Sequence, residues 1–260
     1  GGVIVTLKER SPNYVLSIIE KYKIELLPTS PTFLNLILMS EEYKNFNLDS
    51  LKIITYGTEP MPAITLKRFN KLFPKIKFTQ TYGLSEVGIL RSKSKNSNSL
   101  WVKIGGEDYK TRIVNSMLEI KSKSSMIGYL NHDNPFTKDG WFKTGDTVET
   151  NGEYIKILGR KSEIINVGGE KVYPQEVENT IMEFPNIEQV TVFSEKNLII
   201  GNIVCANIKL RETVKDKESL IKEIKLFCNS KMANYKTPIK VNIIDENSFY
   251  NARFKKRRSS

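Results

Sequence analysis

Hydrophobic and polar positions alternate between two periods along the first ninety residues. Apolar residues recur at helical spacing after Ser11-Pro12, after Pro31 and after Pro62, and proline at the first helical position is typical of a helix start. Short apolar runs, which favour strands, lie before, between and after these segments at 3–7, 24–27, 52–56 and 76–81. This strand–helix order predicts an α/β fold with a largely parallel sheet covered by helices.

The pattern changes in the middle of the chain. Short alternating segments at 101–104, 109–114, 118–121 and 154–158 are separated by Gly, Asn or Asp. Such spacing predicts antiparallel β structure, a small barrel or sandwich. We therefore expect a β-rich part over 91–160.

A third pattern begins near the sequence Gly-Arg-Lys-Ser at 159–162, which we interpret as a joint. It predicts strands at 163–167, 189–193, 202–210 and 240–244, a Gly168-Gly169 turn, and helices after Pro174 and over 215–232. We expect a compact α+β module over 161–260, following a larger domain over 1–160.

Charge broadens the possible partners without selecting one. Among 260 residues, 40 Lys and Arg exceed 29 Asp and Glu, which gives a net charge of +11. That charge could attract nucleic acid or an anionic membrane, but no RNA-binding aromatic motif or helix-turn-helix pattern accompanies it. We favour a lysine-rich solvated surface and no nucleic-acid partner.

Several classes of protein are disfavoured by the sequence. The only cysteines, Cys205 and Cys228, form no CxxC pair, which argues against a cysteine-built zinc site and a disulfide framework and indicates a reducing compartment. The single histidine, His132, argues against His-based metal sites and Ser-His-Asp triads. No apolar run approaches the roughly 20 residues that span a bilayer, and no signal-peptide pattern opens the sequence, so we expect a cytoplasmic protein.

Two candidate motifs each follow a predicted strand. Tyr-Gly-Thr-Glu-Pro at 56–60 carries Gly57, where a missing side chain allows a flat ligand to approach the backbone. Thr-Tyr-Gly-Leu-Ser-Glu at 81–86 places an aromatic ring, a hydroxyl and a carboxylate at the carboxyl end of a parallel strand, where open α/β sheets bind ligands. The hydroxyl and carboxylate could hold phosphate oxygens and Mg²⁺. The alternative is an ordinary turn with a helix cap at Ser85.

Two further motifs lie closer to the joint. Asp146 follows a glycine in the segment 139–146 and could accept two hydrogen bonds from a ribose diol. Arg160 lies beside the joint and could clamp a phosphate or a ribose. Gly168 and Gly169 make a loop with little side-chain bulk, which suits a narrow passage.

The order and spacing of the four motifs resemble the distal half of an adenylate-forming enzyme. This superfamily contains AMP-forming acyl-CoA synthetases, luciferases and the adenylation domains of nonribosomal peptide synthetases. The resemblance covers essentially all 260 residues and is greatest to the acyl-CoA synthetase branch. It implies part of the large parallel-sheet α/β domain with a small antiparallel β-barrel, followed by a small mobile α+β domain.

The resemblance also implies a two-step reaction. ATP and a carboxylic acid, a fatty acid in much of this branch, form an acyl-adenylate and pyrophosphate. The thiol of CoA, or of a phosphopantetheine on an acyl-carrier protein, then displaces AMP. The small domain rotates between the steps in this family, so the joint would be functional.

Site residues follow from the resemblance position by position. Gly57, Thr58, Glu59 and Pro60 match the loop beside adenine. Tyr82 and Gly83 match the aromatic motif that stacks on adenine. Ser85 matches a hydroxyl near the phosphates, and Glu86 matches the catalytic, Mg²⁺-binding carboxylate. Asp146 matches the ribose ligand, Arg160 a ribose or phosphate ligand, and Gly168 and Gly169 the loop lining the pantetheine tunnel.

Three departures from the family pattern qualify this interpretation. The Ser/Thr/Gly-rich phosphate loop ending in Pro-Lys-Gly does not occur in the sequence, so we expect a fragment or a second polypeptide that supplies the proximal half. Ser162 stands where the joint usually has Asp or Lys. In the C-terminal motif, matching Phe254 places Arg253 at the catalytic lysine position, whereas a shifted match uses Lys255. An Arg there predicts slower adenylation. The missing phosphate loop and Arg253 favour the alternative of a non-catalytic remnant or subunit that binds nucleotide or carrier. Retention of Tyr82, Glu86, Asp146 and Arg160 favours the ligase, which is the main hypothesis.

Overall fold

A computed structural model describes residues 2–198 and 201–244. The first third alternates helices and strands, as predicted. The elements are α1 (Pro12–Tyr22), β1 (Leu26–Thr29), α2 (Pro31–Ser40), β2 (Ile53–Tyr56), α3 (Ala63–Leu72) and β3 (Lys77–Gln80). The strands form a three-stranded sheet in the order β1-β2-β3, and both pairs are parallel. The predicted parallel sheet is confirmed.

Local capping fixes two of the helix starts. The Ser11 hydroxyl accepts a hydrogen bond from the Tyr14 amide, and the Ser30 hydroxyl accepts one from the Phe33 amide. Proline occupies the next position in both helices, where its missing N–H leaves no helical hydrogen bond unmade. The apolar faces of these helices then pack on one face of the sheet in a single buried cluster.

The predicted strand at 3–7 is wrong. Residues 2–11 contain no helix or strand, and Val3 and Ile4 are 92% and 90% exposed. A strand needs a neighbour to take up its backbone hydrogen bonds, and no described strand pairs with this segment.

The middle of the chain forms an antiparallel sheet of seven strands. They are β4 (Tyr82–Leu84), β5 (Gly88–Ser94), β6 (Val102–Gly105), β7 (Tyr109–Val114), β8 (Met117–Ser122), β9 (Phe142–Asn151) and β10 (Tyr154–Arg160). Their order is β4-β5-β6-β10-β9-β8-β7. The outer strands β4 and β7 are not hydrogen-bonded to each other in the described part of the chain, so the layer is an open sheet and not a closed barrel. Strands β4, β5 and β9 were not predicted.

The last part is the α+β module expected from the sequence. It contains β11 (Ile165–Val167), β12 (Glu170–Val172), α4 (Pro174–Met182), β13 (Ile187–Asn197), β14 (Gly201–Leu210), α5 (Lys217–Lys231) and β15 (Lys240–Ile243). The strand order is β12-β11-β14-β13, and β15 pairs with β14 in parallel. This module has its own buried core, and both cysteines are free and buried.

Three short 3₁₀ helices complete the described structure, at Glu42–Asn45, Lys161–Glu163 and Asn234–Lys236. The second one coincides with the predicted joint. Across residues 2–198 and 201–244, no helix has the length and hydrophobicity needed to cross a membrane.

Candidate functional site

A cleft of about 250 Å³ opens at the carboxyl ends of β2 and β3. Its walls come from the loop after β2, the β3–β4 segment, strands β9 and β10, and the start of α4. The lining residues are Thr58, Glu59, Pro60, Gln80, Thr81, Tyr82, Gly83, Leu84, Asp146, Ile157, Gly159, Arg160, Glu163 and Gln175. The fold thus brings parts of all four sequence motifs, or residues beside them, to one place.

Three of the predicted residues contact one another in this cleft. The Tyr82 hydroxyl donates a hydrogen bond of 2.5 Å to Asp146 Oδ2. Arg160 Nε lies 3.5 Å from Asp146 Oδ1, and the two residues are cross-strand partners on β10 and β9. Tyr82 and Asp146 are each only 7% exposed, whereas the Arg160 side chain is 56% exposed. The result is a buried, hydrogen-bonded pair with an exposed cation at its edge.

Burial controls the protonation of this pair. It raises the pKa of Asp146, while the Tyr82 hydrogen bond and the Arg160 charge oppose that rise. Burial, followed by the nearby Asp146 charge, raises the pKa of Tyr82. Tyr82 is therefore a hydrogen-bond donor at neutral pH. The Asp146 amide also donates to the Thr144 hydroxyl at 3.0 Å, which fixes the backbone beneath the carboxylate.

Gly57 allows two loops of the cleft to meet. A Cβ at this position would lie 2.4 Å from Thr81 Oγ1 and 2.8 Å from the Thr81 carbonyl oxygen. The Thr81 amide donates to the Tyr56 carbonyl at 2.7 Å, so Thr81 is held in place. The absence of a side chain at Gly57 therefore allows the two loops to pack against each other. Gly57 itself does not line the cleft.

The remaining residues of this loop do line the cleft. Thr58 adopts a left-handed backbone with φ of 73°. Glu59 turns back onto α2, where its Oε1 accepts a hydrogen bond of 2.7 Å from the Thr32 amide in the first helical turn. A carboxylate is stabilised at a helix N-terminus, so this contact anchors the loop.

Gly83 has both a packing role and a place in the cleft wall. A Cβ there would come within 2.9 Å of the Gly88 carbonyl oxygen and of Ile89 Cα on β5. The hairpin formed by β4 and β5 therefore needs a glycine at this position.

Ser85 and Glu86 lie in the turn between β4 and β5 and do not line the cleft. Ser85 is exposed in this turn and no helix begins there, so the alternative of a helix cap at Ser85 is wrong. Glu86 is half-buried, and its Oε1 accepts a hydrogen bond of 2.6 Å from the Tyr129 hydroxyl.

A magnesium ion would have to rely on few protein ligands. Across residues 2–198 and 201–244, no group of three or more His, Cys, Asp or Glu side chains could hold a metal ion. Mg²⁺ commonly binds through one or two carboxylates together with phosphates and water. The single carboxylate of Glu86 fits that mode of binding, in which the nucleotide supplies further oxygens.

The structure does not bring the remaining predicted residues into the cleft. Gly168 and Gly169 form the two-residue turn of the β11–β12 hairpin, with φ of 56° and 93°. Positive φ at both positions is typical of a type I′ turn, and a Cβ on either would meet no atom within 4 Å. Arg253 and Lys255 lie outside the described residues.

Sequence reasoning missed Gln80. This residue is 5% exposed and lines the cleft, and within the described chain its Oε1 is buried without a hydrogen-bond partner. A buried polar atom without a partner is costly, so this oxygen is suited to a ligand. Gln80 shares the buried face of β3 with Phe78, and a polar residue at the last inward position of a parallel strand is the signal that could have revealed it.

Comparison with known proteins agrees with this arrangement. The model of the AMP-binding enzyme family matches residues 1–106, and that of the AMP-binding enzyme C-terminal domain matches residues 176–249. The chain belongs to the AMP-binding enzyme family. Together the two matches cover the parallel sheet and most of the small module.

Curated relatives of this AMP-binding family chain include several CoA ligases. It is 28% identical over 258 residues to a long-chain-fatty-acid–CoA ligase of Bacillus subtilis (strain 168), which covers 92% of the chain and 45% of the relative. It is 26% identical to 4-coumarate–CoA ligase 1 of Arabidopsis thaliana, over 93% of the chain and 47% of the relative. The chain thus spans about half the length of the curated relatives it matches.

Solved structures of the family share the fold. ATP-bound MatB from Rhodopseudomonas palustris matches with a TM-score of 0.78 and 21% identity, over 95% of this chain and 52% of that one. The anthranilate CoA ligase AuaEII in complex with anthranoyl-AMP matches with a TM-score of 0.77 and 21% identity, over 91% of this chain and 49% of that one. The α/β organisation of the chain is therefore that of adenylate-forming enzymes.

Proposed function

We propose that this AMP-binding family chain provides the adenosine side of the active site of an AMP-forming acid–thiol ligase. The observation that carries the proposal is the buried Tyr82–Asp146 pair, with Arg160 beside it, at the carboxyl ends of two parallel strands. The complete enzyme would convert a carboxylic acid and ATP into an acyl-adenylate, and then pass the acyl group to a thiol.

The walls of the cleft match the chemistry of adenosine. The Asp146 carboxylate can accept hydrogen bonds from the ribose hydroxyls, and the exposed Arg160 guanidinium can move to meet a phosphate oxygen. The ring of Tyr82 offers an aromatic surface for the base. The unpartnered Oε1 of Gln80 can accept a hydrogen bond from an exocyclic amino group.

The triphosphate would extend from this cleft toward the β4–β5 turn. Ser85 would meet phosphate oxygens there, and Glu86 would hold Mg²⁺, which neutralises phosphate charge when bound. The proximal half of the enzyme, on the same or another polypeptide, would supply the main phosphate clamp. Arg253 or Lys255 would contact the reacting carboxylate and phosphate, and Gly168 and Gly169 would border the path of CoA or a carrier phosphopantetheine.

Pyrophosphate exchange into ATP tests the proposal, because it reports acyl-adenylate formation alone. In the full-length protein, we expect Asp146→Asn to lower kcat/KM for ATP by about 10- to 100-fold, since a hydrogen bond to a charged group is worth about 1.5–3 kcal/mol. Glu149→Gln is the matched control, because Glu149 is an exposed carboxylate on the same strand. This control should retain full activity.

Two outcomes would change the conclusion. If Asp146→Asn exchanges pyrophosphate as fast as the unaltered protein, Asp146 does not bind the ribose. If the unaltered protein binds ATP but catalyses no exchange with any carboxylic acid tested, the alternative of a non-catalytic nucleotide-binding subunit takes the place of the ligase.

A further inference from the structure

A second cleft, of about 370 Å³, lies on the other side of the joint. Its walls come from the β7–β8 turn, strand β9 and the first elements of the small module. They include Ser116, Thr147, Lys161, Asn166 and Lys171. None of its lining residues lines the first cleft, so the two are separate sites.

The joint directs neighbouring side chains to different clefts. It forms a short 3₁₀ helix at Lys161–Glu163, and side chains three residues apart eclipse each other in such a helix. Lys161 and Ile164 therefore share a side and line the second cleft. Arg160 and Glu163 line the first.

The β11–β12 hairpin adds a second cation to the same wall. Ile165, Val167 and Val172 are buried in the core of the small module. Asn166 and Lys171 are direct cross-strand partners, and strand alternation places them on the opposite face. That face lines the cleft.

The second cleft is positively charged and lacks counter-charge. No Asp or Glu is among its lining residues. Neither Lys161 nor Lys171 forms a salt bridge with any residue in the ranges 2–198 and 201–244. Both lysines line one concave space without a carboxylate, so an anion bound there would meet two cations.

The wall facing the lysines is held firmly in place. Asn115 and Ser116 form a two-residue turn with φ of 50° and 61°. The Ser116 carbonyl accepts a hydrogen bond of 2.8 Å from the Val148 amide on β9. Thr147, next to Val148, is buried in the cleft wall. The backbone that carries these polar residues is therefore held in place on this wall of the cleft.

We propose that this second cleft binds a phosphate-bearing anion. Lysine is a common phosphate ligand, the polar groups opposite can meet the remaining phosphate oxygens, and the volume lies in the range of small-ligand sites. Phosphate could come from free pyrophosphate or from the phosphate groups of a nucleotide. Because the walls belong to both the large domain and the small module, a bound anion would restrain the joint in this arrangement.

Isothermal titration calorimetry on the full-length protein tests the proposal, with pyrophosphate and adenosine 3′,5′-bisphosphate as probes. Both lysines are exposed, and an exposed charge contributes less than a buried one because solvent screens it, so we expect Lys161→Gln/Lys171→Gln to weaken one binding event by about 10-fold. Lys161→Arg should retain most of the affinity, because it keeps the charge. Tighter binding of one probe would identify the source of the phosphate.

Lys93→Gln is the control for bulk charge. Lys93 is exposed on β5 and lines neither cleft, so binding should remain unchanged. Equal weakening by Lys93→Gln would show non-specific attraction and overturn the proposal.

Hydrogen–deuterium exchange locates the bound probe. Protection by the probe at 115–117 and 161–173, lost in the double lysine variant, supports the second cleft. Protection confined to 57–60 and 82–86, or no measurable binding of either probe, overturns the proposal. Neither result depends on ligase activity, so failure here leaves the proposed function standing.

Discussion

Replacing Tyr82 with phenylalanine tests the central contact of the site. The substitution removes one oxygen and leaves the ring in place. That oxygen donates a 2.5 Å hydrogen bond to Asp146, and both residues are 7% exposed. The variant therefore leaves a buried carboxylate with one partner fewer, and water has little access to replace it.

The expected loss is large for the removal of a single atom. A hydrogen bond to a charged group contributes about 1.5–3 kcal/mol to the free energy of unfolding. A loss of 1 kcal/mol lowers the melting temperature of a protein near this size by about 2–4 °C. Tyr82→Phe should therefore melt about 3–12 °C lower than the unaltered protein at pH 7.

Tyr129→Phe is a matched control for the same chemical change. The Tyr129 hydroxyl donates a 2.6 Å hydrogen bond to Glu86, so donor, acceptor and distance are closely similar. Tyr129 is 42% exposed, and water can replace the lost partner. A change at such a surface site should stay within about 0.5 kcal/mol.

The assay is thermal unfolding of the full-length protein at pH 7 and at pH 4. Burial raises the pKa of Asp146, and loss of the Tyr82 hydroxyl should raise it further. Removing a hydrogen-bond donor from a neutral carboxyl costs less stability than removing it from a carboxylate. The decrease in melting temperature caused by Tyr82→Phe should therefore be smaller at pH 4 than at pH 7. Equal destabilisation by Tyr82→Phe and Tyr129→Phe, or a loss independent of pH, would refute the reasoning.

Three further predictions concern single positions. Gly57→Ala should destabilise the protein by about 1–3 kcal/mol through overpacking against Thr81. Gly128→Ala is the control and should have little effect, because its Cβ would meet no atom within 4 Å. Equal melting temperatures for the two variants would contradict the prediction. Burial raises the folded-state pKa of Asp146. The stabilisation that comes from protonating this carboxyl is therefore fully present below its ordinary pKa of 3.8 and is lost as pH rises through the raised value. Asp146→Asn should flatten this part of a plot of the free energy of unfolding against pH. Gly168→Val should lower the free energy of unfolding by about 1–2 kcal/mol because the backbone at this position is left-handed. Gly168→Asn should be nearly neutral. Equal midpoints of urea unfolding for the two variants would count against a strained turn.

Local rules were sufficient for much of the architecture. Ser-Pro pairs fix the starts of α1 and α2. In each pair the serine hydroxyl caps the helix, and the proline occupies a position at which no N–H is needed. The Gly168-Gly169 pair fixes a two-residue hairpin turn because both positions need positive φ. Alternating helices and apolar strands were sufficient to predict the parallel sheet, and with it the edge at which open α/β sheets generally bind ligands.

Strand β9 shows where local rules failed. Its sequence contains Gly145 and Asp146 and ends in Asn, residues of low β-propensity that indicate a turn. Pairing with β8 on one side and β10 on the other makes it a strand. The opposite error occurred at 3–7, where an apolar run has no described partner strand and is largely exposed.

The sequence by itself determined which groups are present, their order along the chain and the local turns that hold them. Tertiary structure decided which of them meet. Tyr82 and Asp146 are 64 residues apart along the chain, and they meet because β4 and β9 belong to the same seven-stranded sheet. Tertiary structure also decided that Arg160 faces one cleft and Lys161, its neighbour, faces another, since side-chain direction follows from backbone geometry and packing and not from residue type.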